Sequence, residues 1–264
     1  MNKILVFIRR NARFSTWSNR VKRLYVKERF VVPFLARLHG KEVIYLLHVN
    51  KAAGTSLLAA IGELSWTSQR GFLIPLPHRF GIRDIPERYK VACFVRNPAS
   101  RFDSGFEHTQ KGGFPAYNFI LSAEEEMVFR NSPSFQELID ATNSSDPEKR
   151  VLSESAWSTL FHLRMNYRHY FGDIEYLRSQ LHRIVFVGEQ EDFAEDWKRF
   201  FKKFYGKEVP LEEKNVLAKH REVLPGYREA IERIHPDEFL LYEEVLRRKA
   251  QLLEEELRSE EVGG

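Results

Sequence analysis

The chain has 264 residues, a length that fits one large α/β domain, or a core domain with added segments, better than two independent domains. Apolar residues make up 43% and aromatic residues 13%, so the chain can bury a sizeable core, and wholesale disorder is excluded. The net charge of +4 is too small to argue for nucleic acid as a partner, and the single cysteine, Cys93, excludes a disulfide framework and a cysteine-rich metal site.

The basic residues are concentrated at the start of the chain. Residues 1–30 carry nine Lys and Arg residues against one acid, Glu28, and we predict a basic arm or helix over 1–40 before a single domain over 41–264. Such an arm suits an anionic membrane surface or a polyanionic substrate, or it is simply a solvated leader. Because residues 4–8 are too short for a signal sequence and no apolar run is long enough to span a bilayer, we expect a soluble, cytoplasmic protein that is at most peripheral to a membrane.

The pattern along the chain predicts strands that alternate with helices. Three short apolar runs are typical of strands buried on both faces, at residues 43–48, 91–95 and 184–188. Helices are expected to begin at Gly54, at Pro98 and after Asp192, the region after residue 150 is mainly helical, and one long amphipathic helix is predicted over 237–258. Residues 110–116 and 141–148 are interpreted as loops. The fold class is therefore α/β, a parallel sheet flanked by helices with a helical C-terminal portion, and ligands are expected at the carboxyl ends of the strands.

The sequence after the first predicted strand has the features of an anion-binding loop. Lys51-Ala52-Ala53-Gly54-Thr55-Ser56 joins that strand to a helix, its small residues permit a tight turn, and the free amides of a helix N-terminus attract anions. Lys51 adds a positive charge, and the hydroxyls of Thr55 and Ser56 can donate to phosphate-type oxygens. The order differs from the standard P-loop, because the lysine precedes the glycine and no second glycine comes before it. An ordinary strand-to-helix connection with a Thr or Ser cap is the alternative.

A second cationic segment follows the second predicted strand. Arg96 lies at the tip of that strand, where a guanidinium can bind a phosphate group in bidentate fashion, and Pro98 begins a helix. Arg101 and Ser104 share a face of this helix because they are three residues apart. Arg101 is therefore either a second ligand-binding cation or the partner of an acidic side chain at the sheet edge.

Together these two segments resemble a known pair of motifs. H-V-N-K-A-A-G-T-S-L and F-V-R-N-P-A-S-R-F-D-S-G-F resemble the two phosphosulfate-binding motifs of sulfotransferases that use 3′-phosphoadenosine 5′-phosphosulfate (PAPS), in particular the carbohydrate sulfotransferase group. The resemblance covers about residues 43–200 and is weak between the motifs. It departs from the family at Asn50, where Pro is usual, and at Glu189, where Arg is common.

The resemblance implies a P-loop-like α/β fold and a specific donor. Sulfate would move from PAPS to a hydroxyl of a carbohydrate or glycolipid, leaving adenosine 3′,5′-bisphosphate, without a required metal. The donor-binding residues that it implies are Lys51, Ala53, Gly54, Thr55 and Ser56 for the 5′-phosphosulfate, and Arg96 and Ser104 for the 3′-phosphate. Lys51 would also neutralise charge on the departing phosphate in the transition state.

Transfer to a hydroxyl needs a base, and histidine suits this role because its ordinary pKa lies near operating pH. His78 is preferred, since related carbohydrate sulfotransferases carry a base-like histidine in that interval, although a histidine with no functional role is the alternative. His108, one turn beyond Ser104, is expected to face the same cleft, and His48 is expected to pack against the loop or orient it. Glu63 is a further candidate, two turns into the first helix.

The acceptor side is predicted from an aromatic and basic segment at residues 157–170. Arg164 and Arg168 are candidates to meet carboxylate or sulfate groups of a glycan, whereas Trp157 and Phe161 are expected in the core. Other weak candidates are a mobile lip at residues 110–116 and a cationic patch formed by Lys219, His220 and Arg221. Two other functional classes stay open: a P-loop kinase or nucleotide hydrolase, which would need Mg²⁺, and a non-catalytic nucleotide-binding module.

Overall fold

The computed structural model describes residues 40–52, 54–64, 71–113, 119–211 and 226–263. The predicted basic arm lies outside these residues except for its last one, Gly40. Within the described ranges the chain forms one sheet, whose strands run β1 (Glu42–Leu47), β2 (Gly71–Pro75), β3 (Lys90–Val95) and β4 (Ile184–Glu189).

The sheet is parallel throughout and has the strand order β2-β1-β3-β4. Its members are rich in β-branched and aromatic residues, and β1 and β3 have five buried residues each, which confirms the prediction of strands covered on both faces. The three predicted strands are confirmed as β1, β3 and β4. The fourth, β2, was not predicted; it is an edge strand that ends at Pro75.

Helices cover the sheet and form most of the chain beyond it. They are α1 (Gly54–Leu64), α2 (Pro98–Gln110), α3 (Ala123–Asn131), α4 (Phe135–Asn143), α5 (Pro147–Thr159), α6 (Phe161–Arg164), α7 (Tyr167–Phe171), α8 (Ile174–Gln180), α9 (Phe193–Tyr205), α10 (Tyr227–Ile234) and α11 (Glu238–Gly263). The predicted helix starts at Gly54 and Pro98 are confirmed, and the last helix runs five residues beyond its predicted end. None of the described helices combines the length and apolarity that crossing a membrane requires.

Two loop predictions need correction. Residues 141–148 contain the end of α4 and the start of α5, so only residues 144–146 connect them. Ser134 and Asp146 cap these helices with their side chains, a local stabilisation that outweighs the turn-forming composition of the segment. Gln110 belongs to α2, residues 111–113 form a turn, and residues 114–118 lie outside the described set.

The core consists of two clusters of buried side chains. One surrounds the sheet and includes the aromatic face of α9, with Phe200, Phe201 and Phe204 almost fully buried. The other lies among α2, α4, α5 and α10, around Trp157 and Phe102. The chain is thus an α/β protein with a four-stranded parallel sheet flanked by helices. The carboxyl ends of β1 and β3 lie side by side, since Leu47 pairs with Cys93.

Candidate anion-binding site

The loop after β1 makes a tight turn over the ring of His48. Lys51 has φ 58°, and among the described residues it alone has a positive φ without being glycine. Helix α1 begins three residues later at Gly54, where an added Cβ would lie 1.9 Å from Nε2 of His48. Only glycine therefore fits at this position. Ala53 and the side chain of Thr55, two of the predicted ligands, lie outside the described set, and Ser56 is half-buried.

Lys51 and Arg96, predicted from separate motifs, meet at neighbouring strand ends. Nη1 of Arg96 donates to the carbonyl oxygen of Lys51 at 3.4 Å, and its Nε donates to Oγ of Ser100 at 3.0 Å. The backbone of Arg96 is fixed by Tyr167, whose hydroxyl accepts from the Arg96 amide at 2.9 Å and donates to the Arg96 carbonyl. Two positively charged side chains thus lie at one edge of the sheet, as the strand-end rule predicts.

The electrostatics of this edge favour an anion. Burial and the charge of Arg96 lower the pKa of Lys51 to about 8, and Glu107 opposes this shift. Burial also lowers the pKa of Arg96, against the charges of Glu191 and Asp103. A bound anion would relieve the repulsion between Lys51 and Arg96.

The rings of His78 and His48 are in close contact beside this loop, tilted by 37° to each other. Their ring centroids are 3.8 Å apart, and Nδ1 of His78 donates to the carbonyl oxygen of His48 at 2.9 Å. Because a carbonyl only accepts, the neutral His78 ring carries its proton on Nδ1 and keeps a lone pair on Nε2. Burial lowers the pKa of His78 below its ordinary value and that of His48 to about 3, so both rings are neutral at physiological pH.

His162 belongs to the same group of side chains, although no role for it was predicted. Burial lowers its pKa to about 2, with further contributions from Lys51, His108 and His78. Its Nδ1 lies 3.3 Å from Nδ2 of Asn50, which also donates to the His162 carbonyl at 3.1 Å. Asn50 is the residue that departs from the family motif, and its position in the loop gave no local signal for a partner 112 residues away.

Asn50 is itself held by a buried ion pair. Arg101 donates from Nη1 to Oδ1 of Asn50 and to the Met165 carbonyl, the latter at 2.8 Å, and from Nη2 to Glu238. Both charged side chains are at most 1% exposed. The structure therefore supports the interpretation in which Arg101 pairs with an acidic side chain. That side chain, Glu238, lies in the first turn of α11 and not at the sheet edge.

Some of the other predicted residues lie near Lys51, His78 and His162, and the rest lie elsewhere. His108 is near, since its ring lies 5.3 Å from that of His162 and the charge of Lys51 contributes to lowering its pKa to about 4, after burial. Ser104 is half-buried on α2, and its hydroxyl makes no hydrogen bond within the described ranges. Arg164 is exposed, and Arg168 pairs with Asp237 at 3.1 Å rather than joining the cluster.

Some expectations for the acceptor side are settled and others are not. Trp157 is buried as predicted, whereas the prediction of Phe161 as a core residue is wrong, because this ring is 39% exposed at the start of the one-turn helix α6. Lys219, His220 and Arg221 fall outside the described residues, as does the side chain of Glu63. Cys93 is fully buried, and burial raises its pKa to about 12, so it is a core residue as predicted.

Glu191 is a second side chain at the site that had no predicted role. Its Oε1 accepts from the amide of Asn97 and from the hydroxyl of Ser100, both at 3.1 Å. Its Oε2 is buried and has no hydrogen-bond partner among the residues that the structure describes. Glu191 thereby ties the end of β4 to the start of α2, next to Arg96. Glu189, Glu191 and Asp192 form an acidic run at the end of β4, and this run could have indicated a carboxylate at the site. In the sequence it predicts only the start of a helix.

Comparison with known proteins adds no family assignment. No protein-family model matches the chain, and neither a curated protein nor a solved structure is significantly similar to it. Among the described residues, no group of three or more His, Cys, Asp or Glu side chains is placed to hold a metal ion. The geometry of the loop, the paired cations and the neutral histidines is therefore what supports a function.

Proposed function

We propose that the chain is a PAPS-dependent sulfotransferase with a P-loop-like fold, which moves a sulfuryl group to a hydroxyl of a carbohydrate or glycolipid. The observation that carries the proposal is the meeting of Lys51 and Arg96 at neighbouring strand ends, where burial and the charge of Arg96 lower the pKa of Lys51. Had these two side chains been far apart, no single nucleotide with phosphates at both ends could reach both.

The residues at the site fit a doubly anionic adenosine donor. Lys51, the Ala53 and Gly54 backbone, and the hydroxyls of Thr55 and Ser56 would hold the 5′-phosphosulfate. Arg96 and Ser104 would hold the 3′-phosphate, and this agrees with an Arg96 side chain at the end of β3 and a half-buried Ser104 whose hydroxyl makes no hydrogen bond to the described residues. When bound, PAPS supplies an activated sulfuryl group.

His78 is proposed as the base. Its Nε2 keeps a lone pair because Nδ1–H is bonded to the His48 carbonyl, and its lowered pKa leaves that lone pair unprotonated at neutral pH. Nε2 of His78 would take the proton of the acceptor hydroxyl as the new S–O bond forms and the S–O bond to the phosphate breaks. Lys51 would neutralise the charge that develops on the phosphate oxygen.

An aromatic surface beside the histidines supports a carbohydrate acceptor. The exposed ring of Phe161 lies 5.3 Å from that of His162, and the exposed Arg164 lies on the same short helix. Sugar rings stack on exposed aromatic faces, and a guanidinium binds glycan carboxylates or sulfates. The predicted use of residues 1–30 at an anionic membrane stays a proposal, and co-sedimentation with anionic vesicles, with and without these residues, tests it.

The proposal is tested by ligand-dependent thermal stabilisation of the whole chain. We expect adenosine 3′,5′-bisphosphate to raise the unfolding midpoint more than ADP or ATP at equal concentration, because only the first has a 3′-phosphate for Arg96 and Ser104. The control is Arg96→Met, which should reduce the preference and leave ADP binding less affected. A preference for ATP that depends strictly on Mg²⁺ would instead select a kinase or hydrolase, and binding with no transfer to any hydroxyl would select a binding module.

A further inference from the structure

The loop residue Asn50 has a fixed orientation that determines the state of its neighbour. Its Oδ1 faces the guanidinium of Arg101, which has only donors, so the other amide atom facing His162 is the NH₂ group. The opposite orientation of the amide is excluded, because it would place two donor groups against each other. Arg101 cannot move aside, since Glu238 and the Met165 carbonyl hold it and it is buried.

The Asn50 NH₂ group in turn defines the tautomer of His162. An NH₂ group can only donate, so Nδ1 of His162 accepts at 3.3 Å and carries no proton. The ring proton is therefore on Nε2, opposite to the arrangement in His78, whose Nδ1 carries the proton. The two rings have complementary states: His78 presents an acceptor at Nε2, and His162 presents a donor.

The surroundings of His162 place its ring beside Lys51. Lys51 is the charge that contributes most to lowering the pKa of His162 after burial, and His108 and His78 follow. Asn50 and Lys51 are consecutive, and the side chain of His162 packs on α2, where an added Cβ on Gly105 would lie 2.7 Å from the His162 Cβ. Nε2 of His162 makes no hydrogen bond to any residue of the described ranges.

We infer that His162 is a ligand-binding residue which donates a hydrogen bond from Nε2–H to the anionic group held at Lys51, and that Asn50 is the positioning residue that fixes its tautomer. The inference rests on the proposed function for the identity of the ligand, a phosphosulfate, and on the hydrogen bonds of Asn50 for the rest. It assigns to Asn50, which replaces the usual proline, a role that proline cannot perform.

The first test is independent of any ligand. Nitrogen-15 NMR of the histidine rings in the whole chain, at neutral pH, should show His162 as a neutral ring protonated at Nε2, assigned by its loss in His162→Gln. Asn50→Asp should switch the proton to Nδ1, because a carboxylate accepts from both His162 and Arg101, and it should raise the pKa of His162. A wild-type ring protonated at Nδ1, or a charged ring, would overturn the inference.

The second test measures binding with a matched pair of variants. His162→Gln keeps an amide donor near the position of Nε2, whereas His162→Asn keeps only the group near Nδ1. With inorganic pyrophosphate as the probe in calorimetry, we expect Gln to bind within about threefold of wild type and Asn to bind roughly ten- to a hundredfold more weakly. The role of the His162 donor would be refuted if His162→Gln and His162→Asn lost the same affinity for pyrophosphate, or lost none, while Lys51→Ala abolished binding.

The outcomes separate this inference from the proposed function. Pyrophosphate carries no nucleoside, so its dependence on His162 stands whether or not adenosine 3′,5′-bisphosphate is preferred. A failed nucleotide preference with an intact Gln and Asn difference would leave His162 as an anion ligand of another enzyme class. Unfolding midpoints of the variants serve as the folding control, and the Asn50→Asp spectrum gives a second readout if either His162 variant is unstable.

Discussion

Lys51 combines a functional charge with a left-handed backbone that a residue other than glycine adopts at a cost of about 1 kcal/mol. The cost persists because the turn between β1 and α1 is closed over His48, and the guanidinium of Arg96 holds the Lys51 carbonyl oxygen. The convergence of Lys51 and Arg96 could be predicted from the sequence, because each follows a buried parallel strand. The role of Asn50 could not, because its partner His162 is 112 residues away.

Replacing Lys51 by Ala and by Gly separates the effect of losing the ammonium charge from the effect of the strained backbone conformation. Both variants should lose turnover by about 10²–10³-fold, because neither neutralises the leaving phosphate, while binding of adenosine 3′,5′-bisphosphate weakens much less. The Gly variant should be more stable than the Ala variant by roughly 1 kcal/mol, since glycine adopts positive φ without strain. Steady-state kinetics, calorimetry and urea unfolding measure the three quantities. Equal losses in turnover and in affinity would show that Lys51 is only an anchor.

In a plot of kcat/KM against pH, we expect protonation of His78 to cause the acid limb and deprotonation of Lys51 to cause the alkaline limb. Burial lowers the pKa of His78, so activity should stay level through neutral pH and fall only below about 6.5 as the ring is protonated. Because the pKa of Lys51 is lowered to about 8, activity should also fall above that pH as the ammonium loses its proton. In Lys51→Arg, whose side chain stays charged, the alkaline limb should move out of range. An unchanged alkaline limb in that variant would exclude Lys51 as its source.

At the scale of elements, α2 and α11 are joined through the loop between β1 and α1. Arg101 on α2 contacts Glu238 in the first turn of α11 and Asn50 in the loop, so three segments distant in sequence share one buried charge pair. Helix α11 itself could be predicted from its apolar periodicity. The partner of Arg101 could not, because a buried acid has no local sequence signature. Strand β2 was missed because its five residues are bounded by Gly71 and Pro75, which favour a loop in any single-sequence interpretation.

Removing only Glu238 from the Arg101–Glu238 pair should lower the free energy of unfolding more than replacing both residues. Glu238→Leu leaves Arg101 buried without its partner, and we expect the free energy of unfolding to fall by about 3–5 kcal/mol in urea titrations. The double variant Arg101→Met with Glu238→Leu should recover much of that stability, because no unpaired charge remains. It should still bind adenosine 3′,5′-bisphosphate poorly, since Asn50 loses its anchor. Full recovery of both properties would show that Asn50 needs no fixed partner.

At the scale of the whole molecule, there are two clusters of buried side chains, one around the sheet and one among the helices that follow β3. The candidate site lies between the carboxyl ends of the strands and α2. The parallel sheet could be predicted from three apolar runs of the right length, because burial on both faces leaves a continuous pattern. The second core could not be assigned to particular helices. Its contacts join α2, α4, α5 and α10, and their pairing depends on tertiary packing rather than on local periodicity.

Buried neutral histidines should make the molecule sensitive to acid. The folded-state pKa of His48 is lowered to about 3, that of His162 to about 2 and that of His235 to about 4, mainly by burial. Since the unfolded chain takes up these protons near pH 6.5 and the folded chain does not, the free energy of unfolding should decline as the pH falls from about 6.5 toward 4.

The contribution of a single ring can be isolated by difference. His162→Gln removes one of these groups, so its unfolding midpoint should fall less steeply with acid than that of the wild type, and the gap between the two curves reports on His162 alone. Parallel curves would mean that this ring is protonated equally in both states. Differential scanning calorimetry across the pH series provides the measurement.

The carboxylate that pairs with Arg101 lies at position 238, far along the chain from the loop that Arg101 holds. A stop codon between positions 162 and 238 would yield a polypeptide that retains Lys51, Asn50, Arg96 and the four histidines His48, His78, His108 and His162, yet lacks the counterion of Arg101. During synthesis on the ribosome, the same dependence postpones assembly of the loop until the last helix has emerged from the exit tunnel. Nascent chains would therefore acquire ligand affinity only after the first turn of α11 has emerged.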